Sequence, residues 1–395
     1  MIRIKSFQAK NGDAFLISFG KKKKHNIMID MGMPSTYEDS IKEELTELSK
    51  KRQIDLLVIT HMHRDHIGGA LEFIKDNGEN HDIIKVNEVW HNSYKHLHFD
   101  KIEEKDDKET IECVKDIIYR YRENYKPNGV HKISAEEGTS FAGNLLMHKY
   151  NWNNSFQKNA IVVDTNIPKK IGKNINIILL SPNRKKLNVL SKEWEKELKG
   201  KQLSKNHIFD DAFEFYMQND SLLDTYLSNI GASEKYDYEE LAKEEKIEKD
   251  GSITNGSSIA FIIEYTKKEE VKKMLFLGDA HEDIIYENLK TLKDKGYDLN
   301  FELVKVSHHG GLKNSSNRLF LMIDSKRFLI STNGNSHGHP DIKTLAKIIT
   351  KKTNYLKEII FNYEDIEILK NLKKDSKNLK DKYNVKVKSL EEIKL

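Results

Sequence analysis

The chain has 395 residues, 37% hydrophobic and 32% charged, enough apolar content for a sizeable core in two or three units of the usual ~150 residues or in one large sandwich. A formal net charge of +4 is too small to be the basic footprint of a nucleic-acid or membrane binder by itself. No stretch approaches the roughly 20 apolar residues of a membrane span, MIRIKSFQAK lacks the apolar core of a secretory signal, and the single cysteine, Cys113, excludes an internal disulfide framework and a thiolate metal site. The expectation is a cytoplasmic protein.

In chain order, DAFLISFG and HNIMIDMG predict a hairpin whose turn is the solvated lysine run Lys21 to Lys24. IDLLVIT (54 to 60) is a strand, followed by a helix through Ala70 to Lys75. IIKVNEVWHNSY returns to strand character, KETIECVKDIIYRYRENY has helical spacing, and a strand pair is predicted at about 141 to 150 and 159 to 165, then another strand at INIILLSP (175 to 182). From about Leu190 to Asp250 the chain is rich in charge and aromatics with helical spacing, as in DDAFEFYMQNDSLLDTYL, and reads as a helical insertion (190–250) within one domain spanning 1–395. Strands resume at NGSSIAFIIEY, VKKMLFLGDA, FELVKVSHHGG and FLISTNGNSHGHPD. The tail runs helix (IKTLAKIITK), strand (LKEIIFNY), helix and a last strand (YNVKVKSL). Two strand-rich halves flanked by helices favour a layered α/β sandwich.

The stretch VITHMHRDHIGG places His61, His63, Asp65 and His66 within six positions directly after a strand. Imidazole and carboxylate suit a divalent ion of intermediate softness, and the spacing lets His61 and His63 serve one ion while Asp65 and His66 serve another. Gly68 and Gly69 would let the start of the helix pack close to the sheet. A plain polar helix start accounts for one acid at the N-terminus but not for three histidines. Two ions need more ligands. MLFLGDA ends in Asp279, placed to bridge, and LVKVS ends in His308-His309-Gly310-Gly311, one histidine of which would complete the second site.

These motifs occur in an order that resembles metallo-β-lactamase-fold hydrolases: MIDMG (Asp30, Gly32), THMHRDHIGG, LGDA and SHHGG. They are most similar to the soluble hydrolase domain of the DNA-uptake protein ComEC and its stand-alone relatives, with NGDAFLI and NGSSIAF resembling further strands of that group. The resemblance covers most of the chain apart from the insertion, and it implies a four-layer αββα sandwich and a centre of two divalent ions, zinc or else manganese. One departure stands out. Many members of the wider superfamily supply a third histidine to the first ion from a GHT-type loop, which this sequence lacks; His148 and Asn255 are the nearest substitutes by position.

A pair of ions about 3.5–4 Å apart turns a shared water into the nucleophile near neutral pH and suits phosphodiesters as well as lactams, thioesters and other acyl bonds. The chain offers no G-x-S-x-G elbow, no P-loop and no dinucleotide fingerprint. In NSHGHPD, His337 and His339 are candidates to bind phosphate or protonate the leaving group beside Asp65, with a surface-loop reading standing alongside. His91 and His281 are further candidates, and Trp90, Tyr94 and Trp152 could stack a base or fill the core. The expected function is a metal-dependent phosphodiesterase or nuclease acting on a phosphodiester or nucleic acid. The alternative is a regulatory or scaffolding subunit, of the kind found in bacterial defence systems, that docks a protein partner through the insertion. No membrane partner is expected.

Overall fold

The computed structural model describes residues 1–21, 24–97, 140–163, 168–197, 207–218, 236–243 and 248–395. The helix expected at KETIECVKDIIYRYRENY, Cys113 and part of the lysine turn lie outside these residues.

Five strands open the chain: β1 (Ile2–Ser6), β2 (Ala14–Phe19), β3 (His25–Met31), β4 (Leu56–Val58) and β5 (Val89–Trp90). Eight more build the second large sheet: β6 (Lys169–Ile171), β7 (Ile175–Ser181), β8 (Ala260–Lys267), β9 (Glu270–Phe276), β10 (Leu303–Lys305), β11 (Arg327–Ile330), β12 (Lys357–Phe361) and β13 (Val385–Ser389), with Asn300–Phe301 and Asp324–Ser325 pairing apart from it. A final strand, β14 (Glu392–Lys394), pairs antiparallel with β1. The sheet orders are β14-β1-β2-β3-β4-β5 and β13-β12-β11-β10-β9-β8-β7-β6. β2 and β3 form the expected antiparallel hairpin. The run from β9 to β13 is parallel throughout, which directs several strand ends to one edge.

Alternation along the strands builds the layers. In β2, Phe15, Ile17 and Phe19 enter the core between the sheets, whereas Ala14 and Leu16 face a helical layer. In β8, Phe261, Ile263 and Tyr265 enter the same inner core, whereas Ala260 and Ile262 face the opposite helices. Helices α1 (Lys42–Ser49) and α2 (Arg64–Asn77) cover the first sheet through Leu45, Leu48, Ile67, Phe73 and Ile74. The second is covered by side chains such as Leu289, Leu345, Leu369 and Leu379 from later helices. The architecture is therefore a four-layer αββα sandwich, the mixed α/β fold expected.

Among the described residues, the strand pair predicted at 141 to 150 and 159 to 165 does not form. Phe141–Met147 is a helix, α3, with Ser140 as its N-cap accepting from the Gly143 N–H, and it buries Phe141, Ala142 and Leu145 against the outer core. Residues Ala160 to Val163 are buried, and Ile161 to Val163 are β-branched, yet they pair with no strand among the described residues: the Asn92 side chain both accepts from the Ile161 N–H and donates to the Ile161 carbonyl. A side-chain amide there does the work of a ladder partner. The tail holds two helices between β12 and β13, at Glu367–Lys374 and Ser376–Tyr383, where one was expected.

Within the insertion the described residues form α4 (Arg184–Glu197), α5 (His207–Gln218) and a short turn of helix at Tyr238–Leu241. These do more than decorate a rim. Trp194, Phe213 and Met217 bury a core of their own against Met62, Tyr94 and Val162, and Met62 sits between two of the motif histidines. Glu214 on α5 is buried against His91 at 2.7 Å and accepts from the Ala142 N–H.

Replacing a fully buried tryptophan with alanine typically costs ~3–5 kcal/mol. We expect Trp194→Ala to lower the urea midpoint accordingly, and unchanged stability would show that the α4–α5 packing is dispensable. At the opposite end, Glu44 on α1 is paired with Lys5 at 2.7 Å and Arg3 at 3.0 Å on β1. Burial alone would raise its carboxyl, but the two cations outweigh it and lower it from 4.5 to about 2. Stability from this pairing is present above the unfolded value and is lost as pH falls through the folded one. Glu44→Gln should therefore flatten the acid limb of stability between pH 4.5 and about 2, measured by denaturation across that range.

Candidate metal centre

Chain reversals at the ends of strands from both sheets bring the donors together. Asp30 ends β3, Thr60 and His61 follow β4, Asp279 follows β9, and His308 and His309 follow β10. Asp279 lies at the middle. Its Oδ2 is 3.3 Å from His66 Nε2, 3.5 Å from His309 Nε2, and 3.9 Å from both His61 Nε2 and His308 Nε2. Asp65 Oδ1 is 3.9 Å from His66 Nε2, and its Oδ2 is 3.9 Å from His309 Nε2. His63 Nδ1 lies 3.2 Å from His61 Nε2.

Sets of donor atoms within 4.8 Å of one another include His61, His66 and Asp279; Asp65, His66 and His309; and Asp13, Asp279 and His309. Thus Asp65, His66 and His309 share one pocket, which settles which member of the histidine pair stands beside Asp65. His308 approaches Asp279 separately. His148, at the C-terminal end of α3, joins none of these sets, and Asn255 reaches the centre only indirectly, through Asp250.

Each inward nitrogen is set by an acceptor on the other side of its ring, which fixes tautomer and orientation. His66 Nδ1 donates to Asp30 Oδ2 at 2.9 Å, and His61 Nδ1 to Thr60 Oγ1 at 3.0 Å. Thr60 in turn donates its hydroxyl and its N–H to Asp30. His309 Nδ1 donates to the Ser331 carbonyl at 2.8 Å, and His308 Nδ1 to Asn314 Oδ1 at 3.0 Å. What remains is a set of buried polar atoms that make no hydrogen bond: His66 Nε2 and His309 Nε2, which face Asp279, and Asp279 Oδ1 on the Lys305 side. Buried polar atoms of this kind are costly unless something is meant to meet them, and imidazole with carboxylate is the donor set of a zinc-like ion. The residues present fit such a group.

The charges are mutually dependent. Burial would raise the Asp279 carboxyl, but His309, His66 and His308 hold it well below the usual carboxylate range. Burial likewise pulls His309 down, yet Asp279 and Asp13 prevail and push it up to about 9. For His66 burial is outweighed by Asp279, Asp65 and Asp30, so it stays protonated well above the ordinary histidine value. His61 goes the other way, lowered by burial and then by His66 and His63.

Three groups escape a reading of the motifs. Lys305, fully buried on β10, pairs with Asp13 and lies 3.7 Å from Asp279 Oδ1 while donating to the Gly278 carbonyl. Asp13 in turn sits 3.5 Å from His309 Nδ1. Asp250 is buried beside His308, as described below. The available signals were a lysine inside an otherwise apolar strand, LVKV, and an aspartate in NGDAF just before one.

Two glycines are required by close approach. A Cβ on Gly69 would lie 2.1 Å from the Met31 carbonyl oxygen, so α2 can rest on the end of β3 only without one. A Cβ on Gly311 would lie 2.8 Å from His339 Cε1, so this position makes room for the His339 ring. His339 packs 4.7 Å from His308, centroid to centroid, with Nδ1 buried and unbonded, and His337 lies 6.0 Å further out. Burial, then His308, lowers His339 well below the ordinary histidine value. His91 is buried against Glu214, and His281 Nε2 lies 2.7 Å from the Ser252 carbonyl. Trp90, Tyr94 and Trp152 are buried in three separate clusters, so the stacking role considered for them gives way to the core.

Residues 9–133 match the model of the metallo-beta-lactamase superfamily. No curated protein matches the chain. Among solved structures, the chain is similar to MEM-A1, a subclass B3 metallo-beta-lactamase isolated from a soil metagenome library, with 10% identity and a TM-score of 0.31 over 79% of this chain and 78% of that one. No described helix is long and apolar enough to cross a membrane.

Proposed function

We propose that the protein is a binuclear metal-dependent hydrolase of phosphodiesters, with nucleic acid among the substrates whose chemistry it fits. The hydrolase reading is supported by the orphaned donors around Asp279 and by the superfamily matched at residues 9–133, most of whose members are metal-dependent hydrolases. His61, His63, Asp279 and His308 would hold one ion. Asp65, His66, His309 and Asp279 would hold the other. Divalent ions such as zinc or manganese supply an acidified water and positive charge against the substrate oxygens.

The observation that carries the phosphodiester reading is His339. Its ring stands against His308, 4.7 Å away centroid to centroid. An imidazole so placed can donate a hydrogen bond to a phosphate oxygen, and it would serve as proton donor to a departing alkoxide where the negative charge of bound substrate offsets the burial and the neighbouring histidines that disfavour its protonation. His337, further out, is placed for a second phosphate contact. Lys305 and Asp13 keep the far oxygen of Asp279 in a compensated field, so that Oδ2 is the oxygen presented to the site. Among soluble hydrolases these motifs resemble the ComEC-type group, which is the subfamily we assign.

Elemental analysis of metal-replete protein should find close to two zinc or manganese ions per chain. A preparation that takes up none overturns the reading. Asp279→Ala should lose both ions and all hydrolysis, because the remaining donors have no common carboxylate.

His339→Ala should lower turnover of natural phosphodiesters by roughly 10²–10⁴-fold with metal content unchanged, the range for loss of a general acid. Nitrophenyl esters, whose leaving group needs little protonation, should show a smaller loss. Equal losses on both would assign His339 to phosphate binding. Activity on lactams or thioesters with none on any phosphodiester would refute the substrate class.

A further inference from the structure

His308 has a support that no motif announces. Asp250 lies where the helical insertion ends, and its side chain is buried. Its Oδ2 accepts from Asn255 Nδ2 and from Asn314 Nδ2, both at 2.9 Å, and its Oδ1 accepts from the Ser252 N–H at 2.9 Å. Every one of these donors is neutral. A buried carboxylate satisfied only by neutral donors keeps most of its desolvation cost unless a cation stands close. The imidazoles within reach, among the described residues, are His308, with Nδ1 3.5 Å from Oδ2, and more distantly His281 at 4.0 Å.

Asn314 completes a relay. Its Oδ1 accepts from His308 Nδ1 while its Nδ2 donates to Asp250 and, at 3.3 Å and 3.2 Å, to the carbonyls of Asp279 and Ala280. The same amide that orients the His308 ring is thereby tied to the backbone of the bridging aspartate. Asp30 plays a comparable part for two other rings, accepting directly from His66 and backing His61 through Thr60. The two histidines lie on different approaches to Asp279 Oδ2, at 3.9 Å and 3.3 Å.

We propose that Asp250, with Asn314, is a positioning residue that holds His308 as the third imidazole of the ion bound by His61 and His63, filling the role of the missing loop histidine. This rests on the binuclear reading above. It also gives the insertion a chemical task, since the segment that closes it delivers the carboxylate. Carboxylate and amide partners behind a ligating histidine are worth 10–100-fold in metal affinity. The effect here should fall on one ion alone.

The test is chelator competition with zinc on wild type, Asp250→Asn and Asn314→Ala, with circular dichroism to confirm folding and ¹⁵N spectra of the histidines to read tautomers. Expected is one ion bound as in wild type, a second weakened 10–100-fold, and loss of the fixed His308 tautomer in both variants. Asp30→Asn, which removes the carboxylate behind both His66 and His61, should by contrast weaken both ions. Should Asp250→Asn fail to fold, Asn314→Ala, which leaves the carboxylate in place, carries the test. Two ions bound normally in the variants, or both weakened alike, would overturn the role of Asp250 while leaving the binuclear reading intact. Fewer than two ions on wild type would instead overturn that reading, and this role with it.

Discussion

The Asp279 carboxylate is the charge around which the rest of the centre is arranged. It is buried, with four imidazole nitrogens within 3.9 Å and the Lys305 ammonium on its far side. Removing a carboxylate from water costs several kcal/mol even after relaxation, and only close, well-placed positive charge repays it. Without ions that charge comes from protons on His66 and His309, both held well above their ordinary values. If His66 and His309 held divalent ions they would do so as neutral imidazoles, and the ions would supply the positive charge that the protons otherwise provide, so uptake would release protons.

That frame is a consequence of topology. Parallel strands β9, β10 and β11 end along one edge and deliver Asp279, the histidine pair and Ser331, while β3 and β4 deliver Asp30 and His61 from the facing sheet. The inner core of Phe15, Phe261, Phe276 and Leu303 fixes the two sheets against each other. The hydrogen bond from Ser331 Oγ to the Gly12 carbonyl stitches their edges beside the site. Donors from two sheets can keep sub-ångström relations only because the layer between them is packed like a solid.

Much of this was legible in the sequence because the donors are clustered locally. His61 to His66 lie within six positions, and the strand before them is apolar throughout. What could not be read depends on distance in sequence. Asp250 is 58 residues from His308 and Asn314 is 64 residues from Asp250, so nothing local distinguishes them from turn formers. One misplaced strand has the same cause. IVV has the composition of a strand, but it pairs with the amide of Asn92, and a periodicity argument cannot see a side chain 69 residues away. FAGNLLM, expected as a strand, is a helix behind a capping serine, and there the helical spacing of its apolar residues was present locally and misread.

The histidine pair shows how tightly the frame is held. His308 and His309 both have left-handed backbones, with φ of 46° and 55°. Each such residue costs of order 1–3 kcal/mol and persists only where its surroundings over-determine it. Here the determinants are specific. The His308 N–H donates to the Gly278 carbonyl, Asn314 and Asp250 fix one ring, and the Ser331 carbonyl fixes the other. The left-handed turn is what allows two neighbouring residues to approach one carboxylate from different sides, with their rings 65° apart. An extended backbone would send successive side chains to opposite faces and leave one histidine out of the site. Local strain is therefore the means by which a dipeptide serves two positions around a single aspartate, and the buried hydrogen bonds behind the rings are what keep it there.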